Sequence, residues 1–472
     1  MSRRRRLVSF VDRERSLGSA GMASGARRGQ VKTGRIVVAL VVVAVGVAAG
    51  GPGARAVAAT GPLAHREVLP NGIVLLVAER PAVPIVAVRA FTRAGAVLEP
   101  ADRAGLAGLM GGLLTRGTTR RTGPELDAAI EFVGGSLESG AGRDGLYVSL
   151  AVRERDLPLG LDLMSEVLLS PTFPQDEFER RVKQVQASIR RSQQDPGTVA
   201  SRALARLVYG AHPYARPAEG TEESVAKITR DDVVQFHRDH VRPDTTIVAV
   251  VGAITVDEAR REVLARFGNW AAPAGPAVGV AEAATGPPPR AETITRDLTQ
   301  ATLVLGRQGI RQVHPDYFPL AVASYILGGG SASRLYARVR DEGGLAYAVY
   351  SYVSPGRYGA SIGVGTQTRT SEVPRVVELL RAEMARLGRE PVSAGELRLA
   401  KDYLIGSFPL RLDTSAKVAD FLVAVEEQGL GLDYADRYRE QIARVTAAEV
   451  QRVAATYFDP DTFNRVTVGK LP

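Results

Sequence analysis

Apolar residues fall along this chain in short runs that alternate with stretches of helical spacing. The runs "GIVLLVAE" (72–79), "IVAVRAFTRAG" (85–95), "LYVSLAVR" (146–153) and "DTTIVAVVG" (244–252) are rich in β-branched residues and read as strands. Apolar positions three and four apart predict helices near 103–115, 123–133, 156–169, 175–194 and 256–266. The segment "NWAAPAGPAVGVAEAATGPPPRAE" (269–292) has no apolar period and abounds in Ala, Gly and Pro, so it reads as a linker.

The pattern then repeats. "ITRDDVVQFHRDHVRPDTTIVAVVG" (228–252) aligns without a gap on "VTAAEVQRVAATYFDPDTFNRVTVG" (445–469), at an offset of 217 residues. Pro243, Asp244, Thr245 and Gly252 match Pro460, Asp461, Thr462 and Gly469. The helix pair at 156–194 has a counterpart near 371–406. A period this long predicts a duplicated domain rather than a solenoid. The fold class expected is α+β: two tandem homologous domains, each with helices packed on a mostly antiparallel sheet. The division is a leader at 1–59, a first domain at 60–268, the linker at 269–292 and a second domain at 293–472.

Charge changes the picture only at the N-terminus. Residues 1–35 carry ten Lys or Arg against Asp12 and Glu14, and residues 36–59 add Arg55. The formal charge of +9 therefore belongs to the leader, and the chain from Thr60 onward is neutral, which removes a nucleic-acid partner from consideration. The leader has a basic segment, the apolar run "IVVALVVVAVGVAA" (36–49), and small residues with Ala56-Val57-Ala58 as a cleavage pattern. This is the order of a secretory signal peptide, with Met22 an alternative start, and it predicts a periplasmic or secreted protein. An uncleaved leader would leave a membrane anchor. The chain has no cysteine, so disulfides and thiolate metal sites are excluded.

Candidate chemistry centres on "AGLAGLMGGLLTRGT" (104–118). Leu106, Leu109, Met110, Leu113 and Leu114 make an apolar helical stripe, yet Gly108, Gly111 and Gly112 share the same helix. Each costs about 1 kcal/mol relative to alanine. Their i, i+3, i+4 spacing is that of H-x-x-E-H, in which two histidines bind zinc and the glutamate polarises water. His237 and His240, in "FHRDHVRP", also share one side of a helix. The aligned repeat "VAATYFDP" has no ligand in either place, so they are not expected to bind metal.

Around this point the chain resembles the pitrilysin/insulinase-type zinc metallopeptidases, the family of mitochondrial processing peptidase. The resemblance spans about 63–470 and rests on "LPNGIVLLV", "GLAGLMGGLLTRGT", "SPTFPQDEFERRVKQVQASI" and "LGGGSASRLYARVRDEGGLAYAVYS". It implies that Gly108 and Gly112 stand where active members have zinc histidines, and Gly111 where they have the catalytic glutamate. Ser188, beside Ala187, stands for the third ligand. No catalytic group and no metal are therefore expected in the first domain. The resemblance also implies that Arg340 and Tyr347, seven positions apart in "RDEGGLAY", reach a partner's zinc site and hold substrate there. It makes Gly328, Gly329 and Gly330 part of a loop lining the substrate chamber.

The function so implied is that of a non-catalytic, substrate-binding subunit of a heteromeric periplasmic zinc metallopeptidase. Its partner would be a homologous H-x-x-E-H subunit that carries the zinc, and its substrate a peptide. The alternative is a non-proteolytic scaffold or peptide-binding protein of the same fold.

Overall fold

A computed structural model describes residues 63–470 except 285 and 287; the expected leader at 1–59 lies outside these. Eleven strands among the described residues form two sheets. The first contains β1 (His65–Val68), β2 (Val74–Glu79), β3 (Ile85–Thr92), β4 (Ser136–Ala141), β5 (Leu146–Arg153) and β6 (Thr246–Gly252), in the order β1-β2-β6-β3-β5-β4. The second contains β7 (Ala291–Ile294), β8 (Gln300–Gln308), β9 (Val349–Ser354), β10 (Ser361–Arg369) and β11 (Asn464–Val468), in the order β7-β11-β8-β10-β9. If β2 is set on β7, β6 on β11, β3 on β8, β5 on β10 and β4 on β9, the two orders coincide. The one parallel pairing in each sheet coincides too, β2 with β6 and β7 with β11; all other pairs are antiparallel. The duplication read from one 25-residue segment thus extends through both sheets.

Seven helices position the site: α1 (Leu106–Leu113), α2 (Gln175–Ser192), α3 (Pro196–Tyr209), α4 (Arg230–His240), α5 (Tyr317–Gly328), α6 (Ser415–Gln428) and α7 (Ala447–Tyr457). Helices α4 and α7 are repeat equivalents and start alike. Thr229 accepts the N–H of Asp232 while the Asp232 carboxylate accepts the N–H of Thr229; Thr446 and Glu449 do the same. Both are capping boxes, which satisfy donors that a helix start leaves unpaired. Each helix then runs through a Pro-Asp-Thr turn into a strand.

Strand β6 is buried along its whole length, Thr246 to Gly252. Its side chains must therefore be covered on both faces. Val248 and Val250 point into the core of the first half, whereas Ile247, Ala249 and Val251 meet Val418, Ala419 and Leu422 of α6, a helix of the second half. The second sheet mirrors this. Leu303 and Leu305 of β8 face their own core, and Val304, Val466 and Val468 meet Ala200, Ala203, Leu204 and Val208 of α3, a helix of the first half. The two halves thus exchange equivalent helices. Polar links tie α6 to the first sheet: Arg66 makes two hydrogen bonds to Glu426, at 3.0 and 2.8 Å, and Arg89 reaches Asp420 at 2.5 Å.

Because each helix fills the back of the other half's sheet, the halves should unfold together. Leu422 is fully buried, and Leu422→Ala should cost about 2–5 kcal/mol. Trp270, the only tryptophan, packs on the first-half core. In urea, the transitions followed by Trp270 fluorescence and by far-UV circular dichroism are expected to shift together in this variant; two separated transitions would refute the coupling.

Candidate functional site

Helix α1 is eight residues long and three of them are glycine, so intrinsic propensity does not hold it. Packing and its first turn do. Leu106, Leu109, Met110 and Leu113 are buried in the first-half core. At the start of the helix the Glu99 carboxyl accepts the N–H of Gly105 at 3.0 Å and of Ala107 at 2.7 Å. Glu99 is 5% exposed. Burial pushes its carboxyl up to about 7, against the pull of the two N–H groups and the more distant Arg216.

The three glycines of α1 occupy three different environments. At Gly111 a Cβ would lie 2.5 Å from the Ala141 nitrogen and 2.6 Å from the Gly140 carbonyl carbon, so the helix presses directly on β4. Ser139 secures the contact by donating to the Gly111 carbonyl at 2.7 Å. At Gly112 a Cβ would lie 2.6–2.8 Å from the guanidinium of Arg181, which reaches in from α2. At Gly108 the nearest atom to a Cβ is the Ala218 carbonyl oxygen at 3.7 Å, and the position opens on a cavity of about 820 Å³. Ser188 of α2 is exposed and lines the same cavity; Ala187 does not. The fold therefore brings the four expected ligand positions to one place, but the donors are absent. Three glycines and a serine do not make a zinc site, a guanidinium lies where one histidine would stand, and backbone closes off the glutamate position. Among the described residues no group of three or more His, Cys, Asp and Glu side chains could hold a metal ion.

His237 and His240 are packing residues on α4. His237 Nε2 bonds the Leu168 carbonyl at 2.9 Å and its ring meets Phe173 edge-on at 5.6 Å. His240 packs on Phe236 at 4.5 Å. Burial lowers the proton affinity of both rings.

In the second half, α5 ends at Gly328, where a Cβ would lie 2.5 Å from the Ser351 nitrogen of β9. Gly111 and Gly328 are 217 residues apart, the same offset as the repeat, and they seat equivalent helices on equivalent strands. Gly329 lies against Tyr325, and the Gly330 carbonyl accepts from Ser333 Oγ at 2.6 Å. A π-helical segment, Tyr336–Glu342, follows and carries Arg340. The Arg340 guanidinium lies between two rings, 4.7 Å from the centroids of both Tyr336 and Tyr347, and bonds the Tyr336 hydroxyl. Tyr347 is 83% exposed. It lines a second cavity of about 880 Å³ between α3 and the second sheet, beside Arg143, Arg216, Thr302 and Thr366. The two cavities adjoin at Ala218 and Glu219, which line both. Gly328, Gly329 and Gly330 line neither.

Arg181, Glu99 and α3 were not anticipated from sequence. A signal for Arg181 existed: it lies seven residues, two helical turns, before Ser188, on the same side of α2.

Comparison with known proteins identifies the family of this chain. Residues 74–222 match the insulinase family, peptidase family M16, and residues 227–404 match the peptidase M16 inactive domain. An uncharacterized zinc protease of Bacillus subtilis, YmxG, is 26% identical over 355 residues, covering 75% of this chain and 85% of its own. A Helicobacter pylori protein named a non-peptidase homolog, also YmxG, is 25% identical over 391 residues, with 82% and 90% covered. The crystal structure of a Pseudomonas fluorescens peptidase M16 inactive domain superposes with a TM-score of 0.82 at 26% identity, covering 87% of this chain and 98% of that one.

The neighbouring glycines should respond oppositely to one methyl group. Gly111→Ala drives a Cβ into β4 backbone and should destabilise by about 1–3 kcal/mol. Gly112→Ala meets only the movable end of an arginine and should be neutral or stabilising by up to about 1 kcal/mol. Urea denaturation of the two variants checks the contrast. Glu99 sets a pH slope: its raised folded value means that its stabilisation is complete below the unfolded value of 4.5 and is lost as pH rises through about 7. The unfolding free energy should fall by about 3 kcal/mol across that window, and Glu99→Gln should flatten the fall.

Proposed function

Because the chain belongs to peptidase family M16 and has no ligand side chain at its metal positions, we propose that it is the non-catalytic subunit of a heteromeric peptidase. The partner is a homologous chain with an intact H-x-x-E-H motif, and zinc belongs to that chain. The leader pattern supports export, so the assembly works in the periplasm or outside the cell.

The observation that carries this reading is the stack of Tyr336, Arg340 and Tyr347. Cation–π contact with two rings and one bond to the Tyr336 hydroxyl hold the guanidinium without a carboxylate partner among the described residues, which leaves its other donors for a peptide carbonyl. An exposed Tyr347 hydroxyl beside it can donate to an oxyanion forming on that carbonyl. The Gly328–Gly330 turn, which leads into the π-helical segment, borders the chamber between the chains. A specific observation favours the alternative of a non-proteolytic peptide-binding protein: Tyr347 also faces a cavity of this chain alone, with Arg143 and Arg216 beside it.

The test is peptide hydrolysis by an H-x-x-E-H homologue with and without this chain. Activity should appear or rise strongly in the mixture. Arg340→Ala should then lower turnover about 100-fold, with the affinity between the chains unchanged. A parallel loss of assembly would make Arg340 an interface residue, and activity indifferent to this chain would favour the peptide-binding alternative.

A further inference from the structure

The pocket at the former metal position is not simply vacant. Arg181 lies across Gly112, and only the missing side chain there lets the guanidinium into this seat. Its Nε is sealed from solvent with no hydrogen-bond partner. Among the described residues the guanidinium makes no ion pair. The acids around it are engaged elsewhere or out of reach: Glu177 pairs with Arg180, Glu219 receives Arg202 Nε at 3.0 Å, and Glu138 shares an adjoining cavity of about 380 Å³ without coming within ion-pair distance. A half-buried guanidinium with no ion-pair partner carries an electrostatic cost that an anion at its two Nη groups, which are not sealed as Nε is, relieves.

We propose that this pocket is a carboxylate seat built on Arg181, which binds the carboxylate of an extended peptide without hydrolysing it. The guanidinium is planar and its donors form a fork, so a planar carboxylate meets it through two parallel hydrogen bonds. The remaining polar lining comprises Ser139, Tyr147, Gln184, Ser188 and Ser192, with Glu219 held by Arg202 at 3.0 Å, and the exposed Arg191 adds a second positive charge at the rim. About 820 Å³ is far more than a lone anion fills, and the space continues past Ala218 and Glu219 into the 880 Å³ cavity that ends at Tyr347. A chain of several residues with its carboxylate on Arg181 therefore has room to extend toward Tyr347. The carboxylate is either the peptide's C-terminus or an acidic side chain. The inference is independent of the heteromeric reading, because the seat lies within this chain.

Fluorescence polarisation with the full chain tests it. The probes are an N-acetylated neutral peptide with a free C-terminus, the same peptide as its C-terminal amide, and the amide with one internal glutamate. The free acid should bind at least about tenfold more tightly than the plain amide, a difference of about 1.4 kcal/mol. Equal binding by the glutamate-containing amide would mean that the seat takes side chains; binding by the free acid alone would mean that it takes C-termini. Arg181→Ala should abolish the preference for carboxylate. Gly112→Ala keeps the charge but fills the seat, and should abolish the preference too, in a protein that still folds. Arg191→Ala should reduce binding by less than about threefold, as a rim charge does. The proposal fails if acid and amide bind alike, if neither binds, or if the preference survives Arg181→Ala. It fails equally if Arg191→Ala matches Arg181→Ala, which would reduce the effect to general charge.

Discussion

The exchange of α3 and α6 is the constraint on which the rest of the structure depends. A sheet with helices on one face leaves its other face apolar, and strands such as "TIVAVV" of β6 have no polar side to offer water. Each half solves this by lending its helix to the other. A single chain thereby gains two cores and two shared layers, and the 880 Å³ cavity lies between the exchanged α3 and the sheet it covers. The geometry of the site follows from the exchange: Ala218 and Glu219, a short way beyond α3, line both the Gly108 cavity and the Tyr347 cavity.

Within that frame the three glycines of α1 serve three different contacts. Gly111 seats α1 on β4 as Gly328 seats α5 on β9, so the two helices meet their strands alike. A glutamate at 111 would need the backbone of β4 to move, whereas a histidine at 112 would need only Arg181 to turn away. The three glycines are thus retained for different reasons, and one explanation for all of them would miss the contact at 111, the guanidinium at 112 and the open cavity at 108.

Much of the fold was legible in the sequence because its signals are local. The strands at 74–79, 85–92, 146–153 and 246–252 follow from runs of β-branched residues, and the Pro-Asp-Thr turns revealed the duplication. Three features were not legible. Strand β4, "SLESGA", is short and polar, as an edge strand can be. The partners of α3 and α6 are set by contacts with strands far away in the sequence, which no periodicity encodes. Arg181 sits in a helix rich in arginines, and its two-turn spacing from Ser188 places it on the same side of α2 without revealing that its guanidinium lies over Gly112. The family resemblance pointed to Gly108, Gly111, Gly112 and Ser188 as positions to compare, but not to the contacts that surround them here.

The two arginines define complementary uses of one cation. Arg340 is held between aromatic rings, which fix its plane at little desolvation cost and leave it near the surface. Arg181 is held by the absence of a side chain, in a pocket where its Nε has no partner. The first arrangement suits a group that must meet another chain's substrate and let it go; the second suits a group that retains what it binds. Both depend on neighbours as much as on the arginine. Tyr336 and Tyr347 make the one and Gly112 makes the other, so conserving charge with lysine would preserve neither geometry, since an ammonium has no plane to stack and no fork to offer.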